Sequence, residues 1–277
     1  MPWQRPARRP PPWIDWFWSF VELMNNSKTQ SQDLVRPDAP TISDVRHLGG
    51  RGALYLLALV QARHTRTRVA PTVESTHSVL SVLDALGVIR VELEAGPDGH
   101  TIDVDKIAWS YTWPYVPFGE LEVRLKLYLQ SEAQEPPYAE MWLRVWQELV
   151  SQDVTAYLRH QLRIHQFPGF FLVELARLLM LYDSLYSLGH WRYACWAAVR
   201  SMASISLQYP GNVEMLKSTL SSELPRRLRL TQGSLEGKLC FSPSYSLPDC
   251  ALTSVFSTVA TRLGDRYWMS PPALELI

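Results

Sequence analysis

Three cysteines in 277 residues, Cys195, Cys240 and Cys250, form no C-x-x-C pair and no metal-ligand spacing. Their odd number is a poor disulfide framework, and the reading that fits is two small core residues and one loop thiol. A phosphate-cradling loop is missing as well. Neither G-x-G-x-x-G nor a Walker A sequence occurs, which argues against a nucleotide-driven machine. The G-x-S-x-G elbow and the H-E-x-x-H pair are also missing, so serine-hydrolase and zincin chemistry have no foothold.

An excess of charge of either sign is lacking too. Lys+Arg and Asp+Glu both number 27, so no global field draws polyanions and any nucleic-acid contact must come from local patches. The longest apolar segment, 167–209, is interrupted by Glu174, Arg177 and Asp183, too polar for a membrane span of ~20 apolar residues. The N-terminus carries arginines without a continuous apolar stretch or a small-residue cleavage site, unlike a secretory leader. A cytoplasmic protein with no membrane association, no metal and no cofactor is expected.

What the chain does have is hydrophobic substance: 47% apolar against 19% charged residues, a globular balance. Eleven tryptophans and twenty prolines suggest many fixed turns and several amphipathic rings able to seat a partner. The expected architecture is mainly α with a small α+β part, in three segments. Residues 1–44 form an arm, 45–134 a small α/β module, and 135–277 a helical bundle. In the arm, MPWQRPARRPPPW is too proline-rich for helix or strand. Trp13, Trp16, Phe17 and Phe20 then open an apolar helical face running to Met24, able to dock on its own domain or to grip a protein partner.

In the second segment, residues 51–63 and 74–86 carry helical periodicity, Gly87 ends the second helix, and VIRVELE (88–94) alternates as a strand. Ala95 to Gly99 is a turn, and HTIDVD (100–105) can return as the paired strand. Helix, helix, glycine and hairpin together resemble the end of a winged helix-turn-helix. That resemblance implies contact with DNA or RNA, or use as a protein-docking module. Arg51, Arg63, Arg66, Arg68 and His77 lie around the second helix and suit phosphate contact. Residues 107–118 read as a rigid aromatic connector. In LEVRLKLYLQ (121–130) leucines and valine alternate with charged residues, a half-buried strand by its period of two.

The third segment begins near Glu135-Pro-Pro137 with a long helix to about Phe167. Two more helices, packed back to back, are separated by Leu188-Gly189-His190, with Gly189 in the left-handed conformation that ends a helix. Another spans Val213 to Leu224, residues 225–248 are irregular, and Asp249 caps a final helix through Leu263. The basic run Arg226, Arg227 and Arg229 falls after a helix end, where the dipole favours cations, with a slight bias toward nucleic acid.

One constellation points to catalysis. Arg159 and His165 stand six residues apart in a helical region, and this looks like the R-x4–6-H motif of HEPN-type ribonucleases. By that resemblance His165 acts as general base or acid toward a ribose 2′-OH, and Arg159 stabilises charge on the phosphate. The first reading remains a non-enzymatic adaptor or subunit of a larger assembly, with protein partners and with DNA or RNA as a further ligand.

Overall fold

Helix α1, Gly49–Thr65, is apolar on every side, and all of residues 53–60 are buried. A helix of that kind must be surrounded. It packs on α2 (Val73–Ala85), α3 (Phe118–Gln130) and a C-terminal helix, α8 (Ala251–Val255). A Cβ on Gly50 would come within 2.8 Å of the Met141 side chain, so glycine lets the next long helix approach closely. The computed structural model describes residues 45–92, 108–113, 116–131, 133, 136–182, 185–232, 239–241 and 247–277. By contacts the chain divides into two units, Met1–Ala39 and Pro40–Ile277, and every described residue belongs to the second. The arm helix with Trp13, Trp16, Phe17 and Phe20 lies outside the described residues, as does the return strand expected at 100–105.

Thr72 starts α2 through a capping box: its hydroxyl accepts from Ser75 N at 3.1 Å, and Ser75 Oγ accepts from Thr72 N at 3.0 Å. Gly87, at φ +70°, turns the chain into β1, Ile89–Glu92. Its antiparallel partner is β2, Ala108–Tyr111, with Ile89 opposite Tyr111 and Glu92 opposite Ala108. A strand therefore occupies part of the stretch expected to be a connector.

Residues 121–130 are helical, against the expected strand. The alternating leucines contain a second series, Leu121, Leu125 and Leu129, which with Tyr128 forms the buried face. Val123 and Leu127 are left about 60% exposed, at 60% and 62%. The charges agree with the four-residue step: Arg124 bonds Glu120 at 2.8 Å and Lys126 bonds Glu122 at 2.7 Å. With strong helix formers at most positions, the tertiary surroundings select the helix.

The long helix α4, Ala139–Ile164, buries Trp142, Val145, Trp146, Leu149, Val154 and Leu158. After a 3₁₀ turn, α5 (Leu172–Leu181) packs on α4 and on α7 (Val213–Thr231). Helix α6, Leu188–Gln208, packs instead on α4 and α7, so α5 and α6 are not the back-to-back pair expected. Nor does Gly189 end a helix. Ser187 caps α6 by accepting from His190 N, and Gly189 lies in its first turn, where a Cβ would meet Cys240 Sγ and the Phe241 backbone.

Helix α7 continues past its expected end through Pro225. Leu216, Leu220, Leu224 and Leu228 make an unbroken buried ladder on either side of the proline. Burying a leucine contributes about 1.5–3 kcal/mol, which offsets much of the ~3 kcal/mol a mid-helix proline costs. The final helix is capped by Cys250 rather than Asp249, and α8 runs on as a π-helical turn, Phe256–Ala260. Short α9, Arg266–Met269, buries Tyr267 and Trp268.

The described residues share one hydrophobic core from Val45 to Trp268. Trp142 of α4 meets Phe256 edge-on, and the backbone N–H groups of Ala251 and Leu252 donate to the carbonyls of Arg68 and Val69. The segments expected as separate units, 45–134 and 135–277, thus interleave. The protein is mainly α-helical with a small two-stranded sheet.

Candidate functional site

The most unusual chemistry in the described residues is a charged centre inside the core. Asp153, on the buried face of α4, accepts from Tyr267 OH at 2.8 Å and from Thr253 Oγ1 at 3.2 Å. Arg192 of α6 stands 4.0 Å away and is 1% exposed. Its guanidinium lies over Trp268 at 4.3 Å and Tyr157 at 5.1 Å from the ring centroids. Burial pushes the Asp153 carboxyl above its ordinary range, while the Arg192 charge and the two hydroxyl donors work against that. Burial and then the charge of Asp153 raise the Asp249 carboxyl to about 6. Buried Arg192 Nε and Nη1, His160 Nε2 and Asp249 Oδ1 have no hydrogen-bond partner among the described residues.

This centre joins α4, α6 and the C-terminal segment 247–277, and its atoms are sealed from solvent. Its thiol neighbours are equally closed: burial pushes Cys195 and Cys250 up to about 12, far from the thiolate form a nucleophile needs. The arrangement acts as a polar lock on the packing of three elements.

Of the basic residues expected to meet nucleic acid, Arg51, Arg63, Arg66, Arg226 and Arg229 are exposed, and several already contact groups of the protein itself. Arg51 pairs with Glu148 and donates to Tyr55 OH at 2.7 Å. Arg63 lies over Trp109 and Phe118, at 5.4 and 5.8 Å. Arg68 donates to the carbonyls of Pro71 and Pro248. Arg66 ends α1 in the left-handed conformation with an exposed side chain, and His77 is half-buried on α2. Arg226 and Arg227 share Glu223, and Arg229 is exposed. The two groups sit apart in the packing scheme, since α1 packs mainly on α2, α3 and α8, and α7 on α6 and α5.

Arg159 makes a two-pronged contact with Glu74 of α2, at 3.1 and 3.4 Å. It lines a cleft of about 500 Å³ at the end of α4 with Leu162, Arg163, Gln166, Phe167 and Pro168. His165 is not part of that lining, and its ring stacks on Phe167 at 6.2 Å. Burial and the charges of Arg163, Arg68 and Arg192 hold the His160 imidazole below its ordinary range. No group of three His, Cys, Asp or Glu side chains suited to a metal occurs among the described residues. No helix among them is long and apolar enough to cross a membrane.

Two surfaces escaped the sequence reading. The outer face of α5 carries Val173, Met180 and Leu181, 71%, 42% and 64% exposed. Between α6 and α7 a groove of about 220 Å³ is lined by Tyr193, Trp196, Arg200, Ser201, Ser204 and Arg227. The periodicity of α5 gave no signal for the first, because its residues are apolar on both faces. The second was half visible in the run containing Arg227, but Trp196 and Arg200 read only as members of a helix. Comparison of the chain with protein-family models, curated proteins and solved structures finds no match.

Proposed function

We propose that the chain is a non-enzymatic adaptor or subunit of a larger assembly, and that it docks a protein partner on the outer face of α5. The observation that carries this reading is the group of exposed apolar side chains on that helix, set around Arg177, which is itself exposed and paired with Glu174. Val173 and Met180, two turns apart, share one stripe, with Leu181 beside it. Leu175, Leu178 and Leu179 already anchor α5 to the core, so the outer three contribute nothing to folding that their burial would not increase. Covering the part of each that is still exposed would contribute about 1–2 kcal/mol, a modest total for a complex that adds further contacts. The test is co-purification from the native host with wild type and with V173D/L181D. A partner retained by the wild type and by L207D, a change at an exposed site on α6, is expected to be lost from the double variant. Equal recovery with the double variant would remove this docking site.

The order helix, helix, β1 and β2 supports a winged-helix-like reading of residues 45–134, and exposed Arg66 supports a phosphate contact there. The rival reading is a metal-independent ribonuclease of HEPN type using Arg159 and His165. The cleft beside Arg159 offers room for a phosphate, although His165 does not line it and Arg159 is paired with Glu74. Total RNA incubated with wild type and H165A decides: the rival requires cleavage by the wild type alone.

A further inference from the structure

We propose that the groove between α6 and α7 binds single-stranded nucleic acid, with a base on the Trp196–Tyr193 surface and phosphates on Arg200 and Arg227. This site is distinct from the α5 face and does not depend on it.

Charge is the first argument. Arg200 and Arg227 line the groove, and Arg226 stands beside it, joining Arg227 on Glu223, the one carboxylate these two arginines share among the described residues. Arg226 reaches Glu223 through two bonds of 2.8 and 2.7 Å, and Arg227 through one of 3.0 Å. Hydrogen bonds from Arg226, and then from Arg227, hold the Glu223 carboxyl below its ordinary range, so it stays ionised. Three positive charges against one negative leave a local excess of two in a chain whose formal charge is zero. Arg200 is exposed, and no carboxylate pairs with it among the described residues.

The rings are the second argument. Trp196 and Tyr193 are half-buried, 6.4 Å apart between centroids, and Phe241 braces both at 5.5 and 5.6 Å. Phe241 is fixed in turn by its N–H, which donates to Gly189 O at 3.1 Å. The Arg200 guanidinium lies over Trp196 at 4.8 Å, the stacked arrangement that a planar base can join or replace. Acidic peptide would use the guanidinia but leave the ring faces idle, whereas an unpaired base uses both. Paired bases in a duplex keep their faces stacked on one another, which selects a single strand.

Size is the third. A groove of about 220 Å³ is smaller than the roughly 300–1,000 Å³ that encloses a small-molecule ligand. It suits an edge contact with a polymer that continues past it. Ser201 and Ser204 line the same wall; Ser204 can turn its hydroxyl from Arg200 O toward a phosphate, whereas Ser201 is shared between Ala197 O and Glu223 Oε2 at 3.3 Å.

The experiment uses the full chain and a fluorescein-labelled oligouridine or oligothymidine, read by anisotropy at increasing salt. Binding is expected at low salt and falls steeply as salt rises. R200A/R227A, at surface positions, is expected to weaken binding by roughly tenfold or more. E223Q removes the opposing charge that Arg226 and Arg227 share and is expected to tighten binding several-fold. W196L, checked for intact fold by circular dichroism, is expected to weaken binding while leaving the salt slope unchanged, because stacking displaces no counterions. Absent binding by the wild type, unchanged affinity in R200A/R227A, or weaker binding by E223Q each overturns the proposal. Equal competition by polyglutamate would reassign the groove to acidic peptide, and equal affinity for a duplex would remove the stacked base.

Discussion

Helix α6 sets two of its arginines over tryptophan rings, with opposite consequences. Arg192 lies over Trp268 inside the core, and Arg200, two turns later, lies over Trp196 at the surface. The centroid distances, 4.3 and 4.8 Å, are nearly equal. What differs is the counter-charge and the solvent. Arg192 faces the buried carboxylate of Asp153 and is committed to it, because either charge left alone in the core would be costly. Arg200 is wet and unpaired by acid among the described residues, so a ligand can recruit it. An arginine stacked on tryptophan is therefore neither structural nor functional by type; burial and the nearest carboxylate decide.

The sharpest way to break the comparison is inside the core. D153A or R192M is expected to cost about 3–5 kcal/mol in urea unfolding, since each strands the other charge. The double variant D153L/R192M should cost much less than the sum, and strict additivity would show that the pair is not coupled. Y267F removes the phenol that donates to Asp153 at 2.8 Å and should cost about 1–3 kcal/mol by the same measurement.

Asp249 gives a smaller effect with a definite sign. Its folded value, about 6, lies above the ordinary 3.8, so the folded state binds this proton more tightly than the unfolded state. The resulting stabilisation is fully present below pH 3.8 and is lost as pH rises through 6. At pH 7 the buried charge costs stability, and D249N is expected to recover about 1–2 kcal/mol after allowance for solvent screening. Unfolding curves between pH 4 and 7 should be flatter for D249N than for wild type, and parallel curves would contradict the assignment. The smallest change is at the surface: R200A should alter stability by no more than about 0.5–1 kcal/mol. A loss as large as that of R192M would mean that Arg200 also belongs to the core.

Most helices were legible because their apolar residues repeat at three and four. Residues 51–63, 74–86 and the long run after Pro137 came within a few residues of α1, α2 and α4. The errors have separate causes. In 121–130 two periods coexist, and only the identity of the neighbours, α1 above all, decides between them. At Gly189 the local rule for a helix end competes with a crowding requirement set by Cys240 and Phe241, some fifty residues on and invisible to local inspection. At Pro225 the leucine ladder outweighed the usual breaker.

The sites were less legible than the fold. Asp153 did not stand out in the sequence because its partners, Arg192, Thr253 and Tyr267, are distant from it along the chain. Arg226 and Arg227 stood out as a basic run, whereas the matching half of their groove, Trp196 and Arg200, needed the α6–α7 pairing to come into view. Arg51, Arg63 and Arg68 carried the right charge but were already engaged by Glu148, by two aromatic rings and by backbone carbonyls.

The hydrogen bonds from Ala251 and Leu252 to Arg68 and Val69 impose an order on how the chain is made. Helix α1 leaves the ribosome well before α8, which forms one of its walls. Throughout the intervening elongation a rod greasy on all sides has no permanent cover there. The nascent chain must then rely on a chaperone or a temporary internal contact until residues 247–277 emerge and close the seam.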